Sequence, residues 1–188
     1  AARAAGARVI ACGRGRGRQM NAGARAAGGE ALLFLHADCR LDPGWPGALT
    51  RAVERGWLGG CFHQRIDALG PVLAVVGGLA HARARVLRVF YGDQGLWVRR
   101  DAFERLGGFR EELPFLEDVE FSRRLRRAGP AGVVAAGIRS SPRDWQRHGW
   151  WRVVLRNWGI ALAFAAGLPA ARLARWYAPL RERAEPRA

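Results

Sequence analysis

Lysine is absent: all 31 basic residues are arginine, set against 16 acidic ones for a formal net charge of +15. In a chain also dense in alanine and glycine, arginine without lysine reads as a GC-rich coding bias. The charge alone is therefore discounted, although +15 is compatible with a polyanion, an acidic membrane surface or a phosphorylated substrate. Cysteine is scarce, with only Cys12, Cys39 and Cys61, and no two stand at metal-ligand spacing. That argues against a disulfide framework and a zinc site and fits a reducing, cytoplasmic compartment. No signal-peptide pattern is legible. The longest uncharged apolar run, 158–171, is interrupted by Gly159, Gly167 and Pro169 and falls short of the roughly 20 residues a membrane-crossing helix takes. The only methionine is Met20 and the sequence opens on Ala1, which reads as a fragment of a longer protein.

What is present suits a globular domain: 188 residues, 49% hydrophobic and 25% charged. Residues 31–35 (ALLFL) form a short apolar run, the pattern of a strand buried on both faces, and they lead into His36-Ala37-Asp38. In open α/β sheets ligands sit beyond the carboxyl ends of such strands. Residues 7–12 (ARVIAC) read as a strand, 13–18 (GRGRGR) as a glycine/arginine loop and 19–27 as a helix, which with 31–35 gives a βαβ rhythm. Further along, 45–55 and 71–89 read as helices and 58–66 as a strand. Residues 91–100 read as a turn and strand, then a helix over 102–106 capped by Asp101. A helix over 116–128 stops at Gly129, and a last strand covers 132–138. Two apolar helices, 150–167 and 170–177, close the fold, and 181–188 reads as a disordered tail.

Five clusters carry chemistry. Asp38 can hold Mg²⁺ or Mn²⁺, with His36 on the same face as a second ligand or substrate contact; it can equally cap a turn. Glu117 and Asp118 open a helix, where one can act as a general base, and where acidic residues also simply complement the helix dipole. Asp93-Gln94 can line an acceptor pocket or stabilise a turn. The loop arginines Arg14, Arg16 and Arg18 can hold a diphosphate, or act as an RNA-binding arginine-glycine tract. Arg143, Trp145, Gln146, Arg147 and His148, ahead of Trp150, Trp151 and Trp158, can grip a nucleotide or seat the chain at a membrane interface.

The series His36-Ala37-Asp38, Gly92-Asp93-Gln94, Arg99-Arg100-Asp101-Ala102-Phe103, Gly107-Gly108-Phe109 and 117–129 (EDVEFSRRLRRAG) resembles the family 2 glycosyltransferases of the GT-A fold. Residues 17–23 (GRQMNAG), the His-Ala-Asp form and Trp145, His148-Gly149 and Trp151-Arg152 are similar to the radical-SAM/selenodomain-associated, arsenosugar-type bacterial subgroup. The resemblance implies a Rossmann-like mixed sheet flanked by helices over 1–145, a C-terminal helical extension over 146–180, and the loss of the family's first strands. It implies a nucleotide-diphosphate sugar donor, a divalent cation (Mg²⁺ or Mn²⁺), and inverting transfer to a hydroxyl acceptor that can be hydrophobic or lipid-linked. In it Asp38 matches the last Asp of the DxD-like motif, with His36 replacing the first. Asp118 matches the catalytic base, with Glu117 as the alternative. Arg18 and Asn21 border the nucleotide, and Arg147 and His148 cover the diphosphate. Two other readings stand beside it: a basic nucleic-acid-binding module, which lacks a recognisable RNA-binding signature, and an inactive scaffold at the inner face of the membrane.

Overall fold

The computed structural model describes residues 2–66, 71–141 and 148–175. Five strands form one mixed sheet: β1 (Ala31–Phe34), β2 (Cys39–Leu41), β3 (Gly59–Ile66), β4 (Leu96–Arg99) and β5 (Ala131–Ser140), in the spatial order β1-β4-β3-β5-β2. Only β3 and β5 run parallel; β1 with β4, β4 with β3 and β5 with β2 are antiparallel. The helices are α1 (Arg16–Ala26), α2 (Trp45–Glu54), α3 (Pro71–Leu87), α4 (Arg100–Arg105), α5 (Glu117–Ala128) and α6 (Trp150–Ala165), with 170–175 also helical. This mixed, helix-flanked sheet is GT-A-like.

Alternation along the strands sends side chains to two cores. Leu96 and Val98 of β4 join Leu32, Cys61, Phe103, Phe109, Phe121 and Leu125 on one face. Trp97 and Phe62 turn to the other, against Ala48 and Ala52 of α2. The first core is built on aromatic packing: Phe109 lies 4.8 Å from both Phe34 and Phe121, and Phe103 5.4 Å from Phe34. The central strands approach so closely at Gly60 that a Cβ there would meet Gly132 O at 1.9 Å, which is why a glycine stands at this crossing.

Several sequence expectations need correction. Residues 7–12 form no strand; they lie in exposed irregular chain, with Val9 and Ile10 open to solvent and no ladder to support them. The strand at 31–35 is an edge strand paired antiparallel, and is only partly buried. Half of the glycine/arginine loop is the first turn of α1, whose N-cap is Gly15. The loop after Asp38 contains the short strand β2, which exists because β5 runs on to Ser140 and offers it a ladder. Asp101 lies inside α4 rather than capping it, and binds Arg99 and Arg105. The remaining helices and strands appear within a few residues of their expected bounds. Arg143, Trp145, Gln146, Arg147 and the tail 181–188 lie outside the described residues.

Phe121 is fully buried and packs against two aromatic rings, Phe103 and Phe109, and the guanidinium of Arg124. Phe121→Ala is expected to cost about 3–5 kcal/mol, read as a lower urea midpoint with an unchanged m-value.

Candidate functional site

The start of α5 and the start of α1 meet beyond the carboxyl end of β1. Leu116, just before α5, takes a left-handed backbone (φ 62°), which a branched residue adopts only at a cost and which turns the chain so that the next two residues point inward. Glu117 is completely buried and Asp118 nearly so. Their place at a helix N-terminus lets the dipole and free N–H groups offset two adjacent negative charges.

Arg16, the first residue of α1, is the cation between them. Its Nε is 2.9 Å from Glu117 Oε1, and its Nη2 3.8 Å from Asp118 Oδ2. The Glu117 contact is an ion pair without well-directed hydrogen bonds: neither carboxylate oxygen has a hydrogen-bond partner among the described residues. Arg16 Nη2 also lies 3.1 Å from His36 Nε2. A guanidinium only donates, so Nε2 accepts and His36 carries its proton on Nδ1. His36 Nε2 is thus engaged by Arg16 at the end of β1.

Asp118 is held at both oxygens. Gly92 N–H donates to Oδ2 at 2.7 Å and Val119 N–H to Oδ1 at 2.8 Å. Gly92 is required there, because a Cβ would come within 2.5 Å of His36 Nε2 and 3.1 Å of Arg16 Nη2. Ser122 anchors this loop to α5: its hydroxyl accepts from Phe90 N–H at 3.1 Å and lies within donating distance of the Phe90 and Asp118 carbonyls. Arg16, His36, Gly92 and Asp118 line one end of a cavity of about 450 Å³ that runs along β1 beneath α1.

Asp93 is bound at Oδ2 by Gln64 Nε2 at 2.8 Å, while its Oδ1 is buried without a partner among the described residues. Burial pushes the Asp93 carboxyl up; the Gln64 amide pulls it down, and Asp118 adds to the rise. Gln94, expected at an acceptor pocket, is instead buried, its Oε1 accepting from Arg83 at 3.0 Å and Tyr91 N–H at 3.1 Å. It shapes the turn from within. Asn21 spends its amide on Phe109 O (2.8 Å) and Glu111 (3.0 Å) and accepts from Phe109 N–H, so its role here is to fix the Gly108–Phe109 turn. Arg18 is exposed and paired with Glu111 at 3.2 Å. His148 is half-buried ahead of α6, and Arg147 lies outside the described residues.

Asp38 is exposed in the turn after β1. Its Oδ1 lies 3.8 Å from the Cys39 thiol, which also reaches Asp93 O at 3.7 Å. Burial first, then Asp38 and Asp93, push that thiol up to about 12, so Cys39 is inert. Among the described residues no three His, Cys, Asp or Glu side chains gather into a metal site. The donor set therefore suits a hard cation only where ligand oxygens complete the shell, as Mg²⁺ commonly does with one or two carboxylates and substrate phosphates.

The family model of glycosyl transferase family 2 matches residues 2–110, more than half of the chain. The chain belongs to this family. No curated protein matches it. The protein is thus a glycosyltransferase, and the match ends at Arg110, short of the Glu117-Asp118 pair. In this glycosyltransferase the sequence placed Arg16 only among the loop arginines that could hold a diphosphate; its pairing with Glu117 and Asp118 was not legible there. Gly92 and Gln64 escaped for the same reason: their role depends on a neighbour far along the chain.

Burial, and next the charge of Asp118, push the Glu117 carboxyl above its ordinary value of 4.5, while Arg16 opposes them. A carboxyl raised in the folded state costs nothing below about pH 4.5, a growing amount as pH climbs from there to its folded value, and a constant amount above it. Glu117→Gln is therefore expected to melt higher than the wild type at neutral pH, with the difference closing below pH 4.5, as read by calorimetry across pH.

Proposed function

We infer that this glycosyltransferase moves a sugar from a nucleotide-diphosphate donor to a hydroxyl acceptor with inversion, in the hexosyl-transfer class, with Asp118 as the base. The observation that carries this reading is Asp118 itself: a nearly buried carboxylate, steered by Gly92 N–H at 2.7 Å, on the wall of a cavity it shares with Arg16 and His36. Its neighbour Glu117 is buried away from that wall and paired with Arg16, which suits a positioning residue better than a base.

The chemistry follows from the charges. An Asp118 oxygen takes the proton of the acceptor hydroxyl as its oxygen attacks the anomeric carbon. The bond from that carbon to the diphosphate oxygen breaks on the far side, and the nucleoside diphosphate leaves with the electron pair. Fixing base and donor on different elements gives the in-line geometry that inversion needs. Asp38, exposed and in no ion pair among the described residues, would hold a divalent cation together with the donor phosphates, and a cation there would supply neutralisation of the departing charge. Arg16 lies beside both Asp118, at 3.8 Å, and His36, at 3.1 Å, and so links the base to the end of β1. His36, Asp93, Arg18 and the C-terminal Arg147 and His148 belong to the same reading as donor or acceptor contacts. The free cysteines fit a cytoplasmic setting. Outward-facing tryptophans on α6 support a hydrophobic or lipid-linked acceptor.

With a panel of nucleotide-diphosphate sugars and Mn²⁺, Asp118→Asn is expected to lower kcat by about 10²–10⁴-fold with little change in donor binding. Asp38→Ala should weaken donor binding and raise the Mn²⁺ needed. Turnover unchanged in both variants contradicts the assignment.

A further inference from the structure

Helix α6 is apolar on two opposite sides. Val153 and Ile160 are buried, and Phe164 packs under Arg123 of α5 at 4.6 Å. On the opposite side Trp151, Leu155, Trp158 and Leu162 recur at helical spacing and form one row. They are 48%, 64%, 48% and 64% exposed. A globular helix normally turns charge, not tryptophan, toward water. A second helix repeats the arrangement: Val75, Leu79 and Val86 fall on one face of α3, all exposed. Large apolar rows of this kind mark a surface that something covers.

The charges say what covers it. Neither α3 nor α6 contains an Asp or Glu, and none occurs anywhere in 148–175. The cations beside the rows are Arg85 on α3, Arg152, which lies 5.0 Å from the Trp151 ring, and Arg172 and Arg175 beyond α6. A second copy of the same face would bring like charge against like, whereas an anionic surface is attracted. Among the described residues no helix is long and apolar enough to cross a membrane, so the helices can only lie along one. Tryptophan and leucine rows edged by arginine are the composition of helices that lie in the headgroup region, with the rings at the interface.

We propose that the outward row of α6 docks this protein on an anionic lipid bilayer, with Trp151, Leu155, Trp158 and Leu162 inserted and Arg152, Arg172 and Arg175 on the headgroups. The proposal extends the lipid-linked acceptor reading, but binding is measured without any sugar transfer, so failure of one does not decide the other.

The test is flotation of the whole protein with vesicles of equal parts phosphatidylglycerol and phosphatidylcholine, and with phosphatidylcholine alone. The expected result is co-flotation with the anionic vesicles, weaker with the neutral ones and reduced by high salt. Replacing Trp151, Leu155, Trp158 and Leu162 together with Gln should lower the bound-to-free ratio by about tenfold or more. If that variant loses helicity by circular dichroism, the pair Leu155→Glu and Leu162→Glu serves instead, placing repulsive charge on the same row. Wild-type protein that stays unbound to both vesicles overturns the proposal, as does a folded variant that floats as well as the wild type. Light scattering that shows a dimer lost on substitution, with no flotation, assigns the face to a second copy and also overturns it.

Discussion

The fold turns on a buried negative charge. Glu117 sits at the start of α5 with no access to water, and Arg16 at the start of α1 is the cation that reaches it, at 2.9 Å. A buried carboxylate without a counter-charge is strongly unfavourable, so the two helix starts have to meet. Their meeting fixes the rest of the site. Arg16 reaches His36 at the end of β1, Asp118 follows Glu117 into the cavity wall, and the Gly92 loop closes on Asp118 because glycine leaves room for it. The left-handed Leu116 is the local strain accepted for this arrangement.

Although most of the described arginines are exposed, several spend their donors on internal contacts. Arg124 ties α5 to the carbonyls of Leu106 and Gly108 and to Glu120, and Arg100 reaches the carbonyls of Ala24, Ala27 and Gly29. Arg83 binds Gln94 and stacks on Tyr91 at 3.7 Å. A guanidinium with five donors replaces turn chemistry that other sequences supply with Asn, Ser or Thr. This is why net charge was a poor guide to a partner, and why the unpaired apolar rows on α3 and α6 are the more informative part of the surface.

How far the sequence could be read followed from how local each signal was. The helices α2 and α5 and the strands β3 and β5 were legible from periodicity and from glycine stops within their own span. The order of the Asp38, Asp93 and Glu117-Asp118 clusters pointed to the family. Properties that depend on distant partners were not legible. Residues 7–12 have strand composition, but a strand needs a ladder and none is offered. The apolar run at 31–35 resembles a parallel, doubly covered strand, yet its neighbour β4 arrives antiparallel from a segment some sixty residues later. Asp101 has the chemistry of an N-cap, but Arg99 and Arg105 draw it into the helix as an ion-pair partner. Gln94, expected at an acceptor pocket, and Asn21, expected beside the nucleotide, also brace the fold, because their amides match backbone groups that only the tertiary structure brings near.

The site hangs on the ion pair between the partly exposed Arg16 and the buried Glu117. Carbon-detected NMR titration of the Glu117 side-chain carboxyl, in the wild type and in Arg16→Gln, tests it most directly. The expected midpoint lies above the ordinary 4.5 in the wild type and higher still once the guanidinium is gone. A midpoint at or below 4.5, or one that does not move when Arg16 is replaced, would contradict it.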